Sequence, residues 1–486
     1  MEQQPKLVGD HLALLEESRA IGVRLAERWS SMPGSAIRGF SRHKTVDFLK
    51  GIPEDKEHLR ATLAILLENS MKWLRGLDET TRLVHVGSFE KFVFPLIRAV
   101  FANLVANELV TVQPLTAPTG LVFYLDVLYG TQKGRIARGS RMFDVRAGAP
   151  ADTHYTDEVV EEEAVGTGDG VTAGSTGALA HIPVRAGTVK FTDGTQEVVD
   201  NGNGALVGNV NPGGVNTINY ANGVYNGTFA NAPAAGAAIT CSYEYNMEAN
   251  TDIPEVDLLL TSSPVTARPR KLRARWSIEA QQDFEAYHGI NAEVEVTAFM
   301  ANEIQKEVNY QIVRHIQQIA GAGTVTWDRT PPVNVPWIWH KESLYDAFVQ
   351  GSNLIFQATQ RRSATWVVAG IGVCDIIETL SKFKSAGAGA AASVVGIRRI
   401  GELGDLAVFK DPAMARNTFL MGFKGSSFLD TGYIYAPYLA LYVTPTIVLD
   451  DMISRKGMMQ RTGLKVVNAN MYCTGTVTQT GGAFGP

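Results

Sequence analysis

Side chains able to do chemistry are present in this chain, but their spacing does not assemble them. The nine histidines are His11, His43, His58, His85, His154, His181, His288, His315 and His340. No pair has the HExxH spacing that would turn two imidazoles to one helical face and hold zinc. The 3 cysteines, Cys241, Cys374 and Cys473, are far apart and odd in number, so neither a disulfide framework nor a cysteine zinc site is expected, and the setting reads as reducing. Gly166-Thr167-Gly168-Asp169-Gly170 and Gly202-Asn203-Gly204 look like dinucleotide loops, yet neither opens a helix in a βαβ unit, so both read as turns. A GxxxxGK[ST] phosphate loop and a GxSxG nucleophile elbow are absent. Asp450-Asp451 could hold Mg²⁺ or do acid–base work, but adjacent acids near a strand end are more often a turn. His315 lies beside an apolar helical stripe and reads as a packed, hydrogen-bonded residue. No catalytic residue, metal ligand or cofactor is expected.

The elements that would have to position any site are clearer. At 486 residues, 45% hydrophobic and 19% charged, the chain can bury a large core over several domains. Its 44 Lys and Arg against 49 Asp and Glu, net −5, leave no footprint of a nucleic-acid binder. Arg98 interrupts the best apolar run, so no membrane partner is expected, and Met1 to Pro5 begin no secretory signal; the expectation is a soluble, intracellular product.

Helical spacing marks residues 10–30 and, more sharply, 55–75, where Leu59, Leu63, Leu66, Leu67, Met71 and Leu74 recur every three or four residues. With Met32-Pro33-Gly34-Ser35 between them, these read as separate helices on a tether that docks on something else. An apolar helix is expected over 90–107 and a strand over Leu121–Tyr129. A basic loop follows from Gly130 to Arg146; on charge alone it is a solvated hairpin tip or, alternatively, a loop reaching an acidic neighbour. From Ala164 to Asn250, 87 residues carry 15 glycines and 8 charged side chains. Short β runs there (Gly187–Thr192, Thr195–Asp200, Thr217–Tyr220, Ala237–Tyr245) alternate with Asp193-Gly194, Asn222-Gly223 and Asn226-Gly227, dipeptides that supply the positive φ of tight turns. This predicts an inserted all-β module. Ile290, Val294, Ala298, Ala301, Ile304, Val308, Ile312, Ile316 and Ile319 predict one helix of about 30 residues, ~45 Å long. Beyond 331 the pattern is mixed: helices over Lys341–Thr359 and Asp375–Phe383, a flexible Ser385–Ser393 loop, and strands at Thr365–Val368, Leu406–Lys410, Thr418–Met421, Leu441–Val443 and Gly463–Asn468.

Three ordered stretches carry a resemblance. Ala102 to Phe123, containing Val112-Gln113-Pro114-Leu115-Thr116-Ala117-Pro118-Thr119-Gly120, resembles a run in the T4-type major capsid proteins of tailed bacteriophages. Arg275 to Glu293, with Glu279-Ala280-Gln281-Gln282-Asp283 and His288-Gly289, resembles that family's approach to its long spine helix. Gly422-Phe423-Lys424-Gly425, followed by Asp430 to Tyr438, is a softer third match.

The resemblance implies an α+β chain with the HK97-type capsid fold. Its parts would be an N-terminal helical arm (1–88), a peripheral domain (89–117, 276–330 with the spine helix, and 441–486), an extended loop (118–160 and 251–275) and an axial domain (331–440). The Gly-rich β module (161–250) aligns with nothing in the family and would contact an adjacent subunit or decorate the outer surface. The implied function is self-assembly into hexameric and pentameric capsomers of a DNA-filled head. Scaffold, portal, vertex and decoration proteins would be further partners, and double-stranded DNA would lie loosely against a mildly acidic wall. The locations would be virion and, during assembly, host cytoplasm. Lys133, Arg135, Arg138 and Arg141 are the candidates for pairing with acids of a neighbouring subunit. Ile52-Pro53-Glu54 and Leu66-Leu67-Glu68 fit the family's processing context, but the arm is expected to be retained and to lace neighbouring capsomers. The alternatives are another phage structural subunit, such as a tail tube or adhesin, and an enzyme.

Overall fold

The computed structural model describes residues 20–33, 45–46, 49, 57–80 (side chains to 72), 104–142, 154–251, 253–386, 395–425, 430–448 and 452–479. The expected helical stretch over 90–103, the Ile52-Pro53-Glu54 site, Asp450-Asp451 and most of the Ser385–Ser393 loop lie outside them. The fold is α+β. It separates into two compact units: Met1–Leu125 with Leu260–Pro486, and Asp126–Leu259.

The first unit is built on two sheets. Seven strands form one, in the order Thr324–Asp328, Tyr472–Thr478, Thr418–Gly422, Trp366–Gly370, Leu406–Asp411, Arg398–Leu403, Phe383–Ser385. The Trp366–Gly370 strand is buried throughout and pairs parallel to Leu406–Asp411 and antiparallel to Thr418–Gly422. Gly370 then leads straight into the Ile371–Ile377 helix, where an added Cβ would stand 2.2 Å from the Ala415 carbonyl. The helix therefore begins and ends earlier than the expected Asp375–Phe383, and Phe383 opens an edge strand instead.

The second sheet runs Arg268–Ser277, Ile453–Val466, Tyr433–Val443, Thr111–Val112, with Ile447–Val448 beside Ile453–Val466. Leu272 and Ala274 pack from its edge strand onto the main core, which also holds the Ala292–Ile319 helix. That helix is 28 residues long and buries Met300, Ala301, Ile304, Val308, Ile312, Val313 and Ile316. Asn291 caps it, its side chain accepting from the backbone N–H of Glu293 (3.0 Å) and Val294 (3.3 Å). Ile290 and Val294, placed on the buried stripe by periodicity, are 43% and 44% exposed, so the packed seam begins a turn later than expected. Before the helix lies one that periodicity did not separate, Ile278–His288, ended by Gly289 at φ +63°.

The arm helix, Glu57–Thr80, does not await a foreign surface. Leu63, Leu66, Leu67 and Met71 join the same core as Trp29 and the long helix. Buried Asn69 donates through Nδ2 to the Leu115 (3.0 Å) and Tyr438 (2.9 Å) carbonyls. The Thr119–Tyr129 strand pairs with Val256–Thr266. In the first unit the Ala267 N–H donates to the Pro118 carbonyl (2.8 Å), and in the second the Gly130 N–H donates to that of Glu255 (2.8 Å).

Most of the second unit is the β module. Val159–Thr167 and Ala238–Glu244, its first and last strands, pair antiparallel, so the chain enters and leaves at neighbouring points. Lys190–Thr192, Glu197–Asp200 and Leu206–Gly208 complete this five-stranded sheet, and Gly174–Ala178, Val224–Thr228 and Thr217–Ile218 form a second of three. Val160, Phe191, Leu206, Tyr225, Cys241 and Tyr243 belong to a core of the module's own. Asp193-Gly194 turns as expected, with Gly194 at φ +88°. Asn226-Gly227 does not turn: it lies inside the Val224–Thr228 strand.

Two measurements test this packing. Asn69→Ala leaves two buried carbonyls without their donor and should cost about 1–3 kcal/mol in denaturant unfolding. Glu293 accepts from Lys456 Nζ and Thr446 Oγ1, both at 2.7 Å. Desolvation pushes its carboxyl upward, but those two bonds and the Lys456 charge outweigh it and hold it below the ordinary 4.5. A carboxylate held low by folding stabilises fully above its unfolded pKa and loses that contribution as pH falls through the folded value. Glu293→Gln should therefore lower stability at neutral pH and shrink the further loss seen when wild type is acidified below about pH 4.5.

Candidate assembly surfaces

Four of the five cations of the Gly130–Arg146 loop, Lys133, Arg135, Arg138 and Arg141, are the side chains that the sequence offers as a contact site. The loop closes on itself. Leu128 bridges to Arg141 and Lys133 to Ile136, while Tyr129 packs against Tyr155 with the rings tilted and their centres 4.5 Å apart. Gly134 is at φ +57°, and a Cβ there would stand 2.2 Å from the Glu161 carbonyl, so only glycine lets the loop approach that strand.

Lys133 is buried. Its Nζ donates to the carbonyls of Tyr155 (3.3 Å) and Asp157, and lies 5.2 Å from the centre of the Tyr245 ring. Burial lowers its pKa, and the Asp157 charge offsets this only in part. Arg135 sits 3.5 Å from a Glu161 carboxylate oxygen and 4.0 Å from one of Glu162. Arg141 pairs with Asp126 at 3.3 Å. Arg138 alone of the four is exposed and makes no bond to the described residues. Neither a solvated tip nor an outstretched cationic loop describes this arrangement: three of the four charges are answered within their own chain, by acids the sequence shows as Glu161-Glu162-Glu163 and two single aspartates.

Groups with catalytic potential are held inert. All three cysteines are buried thiols. Burial pushes Cys374 up to about 12 and Cys473 to about 11, and raises Cys241 as well, so none supplies a thiolate near neutral pH. His315 Nδ1 lies 2.9 Å from the Tyr433 hydroxyl, edge-on to that ring, the packed role its position predicted. Asp169, in the first dinucleotide-like loop, accepts from Thr172 and Val171 and is held down to about 2, a turn and not a ribose ligand. Among the described residues no three His, Cys, Asp or Glu converge as metal ligands, and no helix is long and apolar enough to cross a membrane.

What the chain does present is apolar surface. Val333, Ile338 and Trp339 stand 89%, 67% and 73% exposed on one stretch, and Tyr287 and Phe299 81% and 69% on another. Side chains of this size left open on several elements are the mark of a molecule whose interfaces are completed by association.

Lys133→Met should lower the unfolding free energy of the module-bearing unit by about 1–3 kcal/mol, since two carbonyls lose their donor. Arg138→Ala should leave stability within about 0.5 kcal/mol. Thermal and denaturant unfolding of the purified protein separates the two.

Comparison with known proteins places the chain. The family model described as Major capsid protein Gp23 matches residues 86–483. The major capsid protein of Vibrio phage KVP40 is 26% identical over 382 residues, covering 72% of this chain and 70% of its own. That of Enterobacteria phage T4 is 25% identical over 373 residues, with the same 72% and 70% coverage. A solved structure from Microbacterium phage Oxtober96 covers 78% of this chain and 91% of its own at 9% identity and a TM-score of 0.36. The capsid of Myoviridae phage XM1 covers 48% and 81% at 13% identity and a TM-score of 0.30.

Proposed function

The chain belongs to the Gp23 major capsid protein family, and from that premise we propose that it builds the head shell of a T4-like phage, as hexameric and pentameric capsomers made of copies of itself. The observation that carries this reading is the family match over residues 86–483, which spans both sheets, the long helix and the inserted module. The physics agrees. A shell subunit needs broad interfaces distributed over several elements, and the apolar side chains left open on the 333–339 and 284–299 stretches supply such surface. Buried, raised thiols and a histidine engaged with a tyrosine suit a structural role and not an enzymatic one.

Finer features follow from the same reading. The arm is kept: cutting after Glu68 would sever a helix whose Leu66, Leu67 and Asn69 are buried against its own chain, and would remove Trp29, which is buried in the same core. The β module has its own core and adjoining ends, so it can contact a neighbouring subunit or face outward without disturbing its host. Packaged DNA lies against the shell without specific contacts, and scaffold, portal and vertex proteins are partners in assembly in the host cytoplasm. Of the four loop cations, Arg138 keeps the role of reaching a neighbour's acid.

Negative-stain microscopy of the overexpressed protein tests the reading. Shells, tubes or rings of six are expected; a discrete small oligomer with no larger assembly would overturn it. A tail-tube subunit, the competing phage reading, would be β-dominated throughout, which the 28-residue helix does not suit.

A further inference from the structure

Charge is segregated along the chain just before the long helix. From Arg268 to Arg275 there are five cations, Arg268, Arg270, Lys271, Arg273 and Arg275, and no acid. From Trp276 to Gln305 there are six acids, Glu279, Asp283, Glu285, Glu293, Glu295 and Glu303, and no lysine or arginine. The first block is an edge strand, the second a helix followed by the start of another.

Strand alternation sorts the cations by face. Leu272 and Ala274 turn toward the core, and Arg270 on that side pairs with Glu307 at 3.5 Å. Lys271, Arg273 and Arg275 therefore share the other face, where all three are exposed and none has a partner among the described residues.

The Ile278–His288 helix has 11 residues and buries none of them. A helix this short is marginal alone and ordinarily draws its stability from a packed face. Gln281 ties it to the end of the strand, its Oε1 accepting from Trp276 Nε1 at 3.1 Å, and Ser277 Oγ caps it by accepting from the Ala280 N–H at 3.2 Å. At about 100° per residue, Glu279, Asp283 and Tyr287 form a stripe on the side opposite Gln281. All three are exposed, Tyr287 at 81%, and neither acid has a partner among the described residues. Two like charges one turn apart repel each other, and no counter-charge for this stripe lies among the described residues.

We propose that the Glu279–Asp283–Tyr287 stripe of one copy docks on the Lys271–Arg273–Arg275 face of the next copy, as a head-to-tail contact between subunits. The spacings correspond. Helix residues four apart are separated by about 6 Å along the axis, and strand residues two apart by about 6.7 Å. Two carboxylates and an aromatic face thus meet three cations in step, the tyrosine offering its ring to a guanidinium or ammonium. The two surfaces differ, so the contact is heterologous and closes into a ring when the rotation allows. Charge on an edge strand also prevents stray strand pairing, but that role calls for no matching acidic stripe. The proposal rests on the shell-forming reading above and names one of its contacts.

Charge reversal tests it. Glu279→Lys with Asp283→Lys, and separately Lys271→Glu with Arg273→Glu and Arg275→Glu, should each reduce sedimenting particles about tenfold or more. Circular dichroism and melting should stay close to wild type, because none of these side chains is paired among the described residues. Equimolar mixing of the two variants should restore six-membered rings and tubes, round which they can alternate, and all five substitutions in one chain should restore particles as well. If a reversal variant fails to fold, Gln at the same positions replaces it and should still weaken assembly. Wild-type-like assembly of either variant, or no rescue on mixing and none in the combined chain, overturns the contact. So does a strand variant that assembles fully but loses DNA retention, which would turn this face toward nucleic acid. Failure of wild type itself to form rings, tubes or shells would instead overturn the shell-forming reading.

Discussion

One buried cation organises the first unit. The Ile453–Val466 strand lies between Arg268–Ser277 and Tyr433–Val443 and buries Ser454, Lys456, Gln460 and Thr462 along with Met458. Such a strand cannot be held by hydrophobic burial alone. Its backbone is satisfied on both edges, and Lys456 is answered by Glu293 at 2.7 Å, in the first turn of the long helix. Glu293 meets that buried ammonium from the first turn of the helix, so the pair fixes where the helix begins over the sheet. A second tie, Arg270 to Glu307, lies fourteen residues on, about 21 Å along the axis. Between them Leu272 and Ala274 supply the apolar contact. Polar ends set the register and apolar filling gives the adhesion.

This arrangement also explains what could be read from sequence and what could not. The long helix is plain because its buried residues repeat at helical spacing from Met300 to Ile316, and Gly321 to Gly323 end it. Trp366–Gly370 and Leu406–Asp411 are short, apolar and β-branched, and they are strands where expected. Ile453–Val466 is not readable: its buried positions are largely polar, so a periodicity that looks for apolar residues sees only the end at Gly463. Tyr472–Thr478 carries threonines and glycine and is silent for the same reason, although Val477 and Cys473 are fully buried. The Ile278–His288 helix was hidden because it has no buried face to leave a pattern. The glycine-rich module is legible through its turns, but Asn226-Gly227 shows that a turn dipeptide can also lie inside a strand.

The loop cations show a related effect. A run of cations in a loop draws attention, yet a loop can fold back and neutralise itself locally, as Lys133, Arg135 and Arg141 do. Strand residues cannot escape in this way. On a paired strand every second side chain is committed to the outer face whatever its charge. The cations that stay available are therefore those of Arg268–Ser277, and they were present in the sequence as a charge block beside an acid block.

A net charge of −5 over 486 residues conceals this pattern, because the two blocks nearly cancel. For the shell-forming subunit proposed above, cancellation in the sum with separation in space is the useful arrangement. Near-neutral balance limits the counterion release that would bind the shell to its contents. Separated patches of opposite sign guide one copy onto the next and repel patch from like patch, which selects head-to-tail contact over the two-fold alternative. Apolar residues such as Tyr287 and Phe299, exposed in the same 279–303 stretch, then gain from contact once charge has set the orientation.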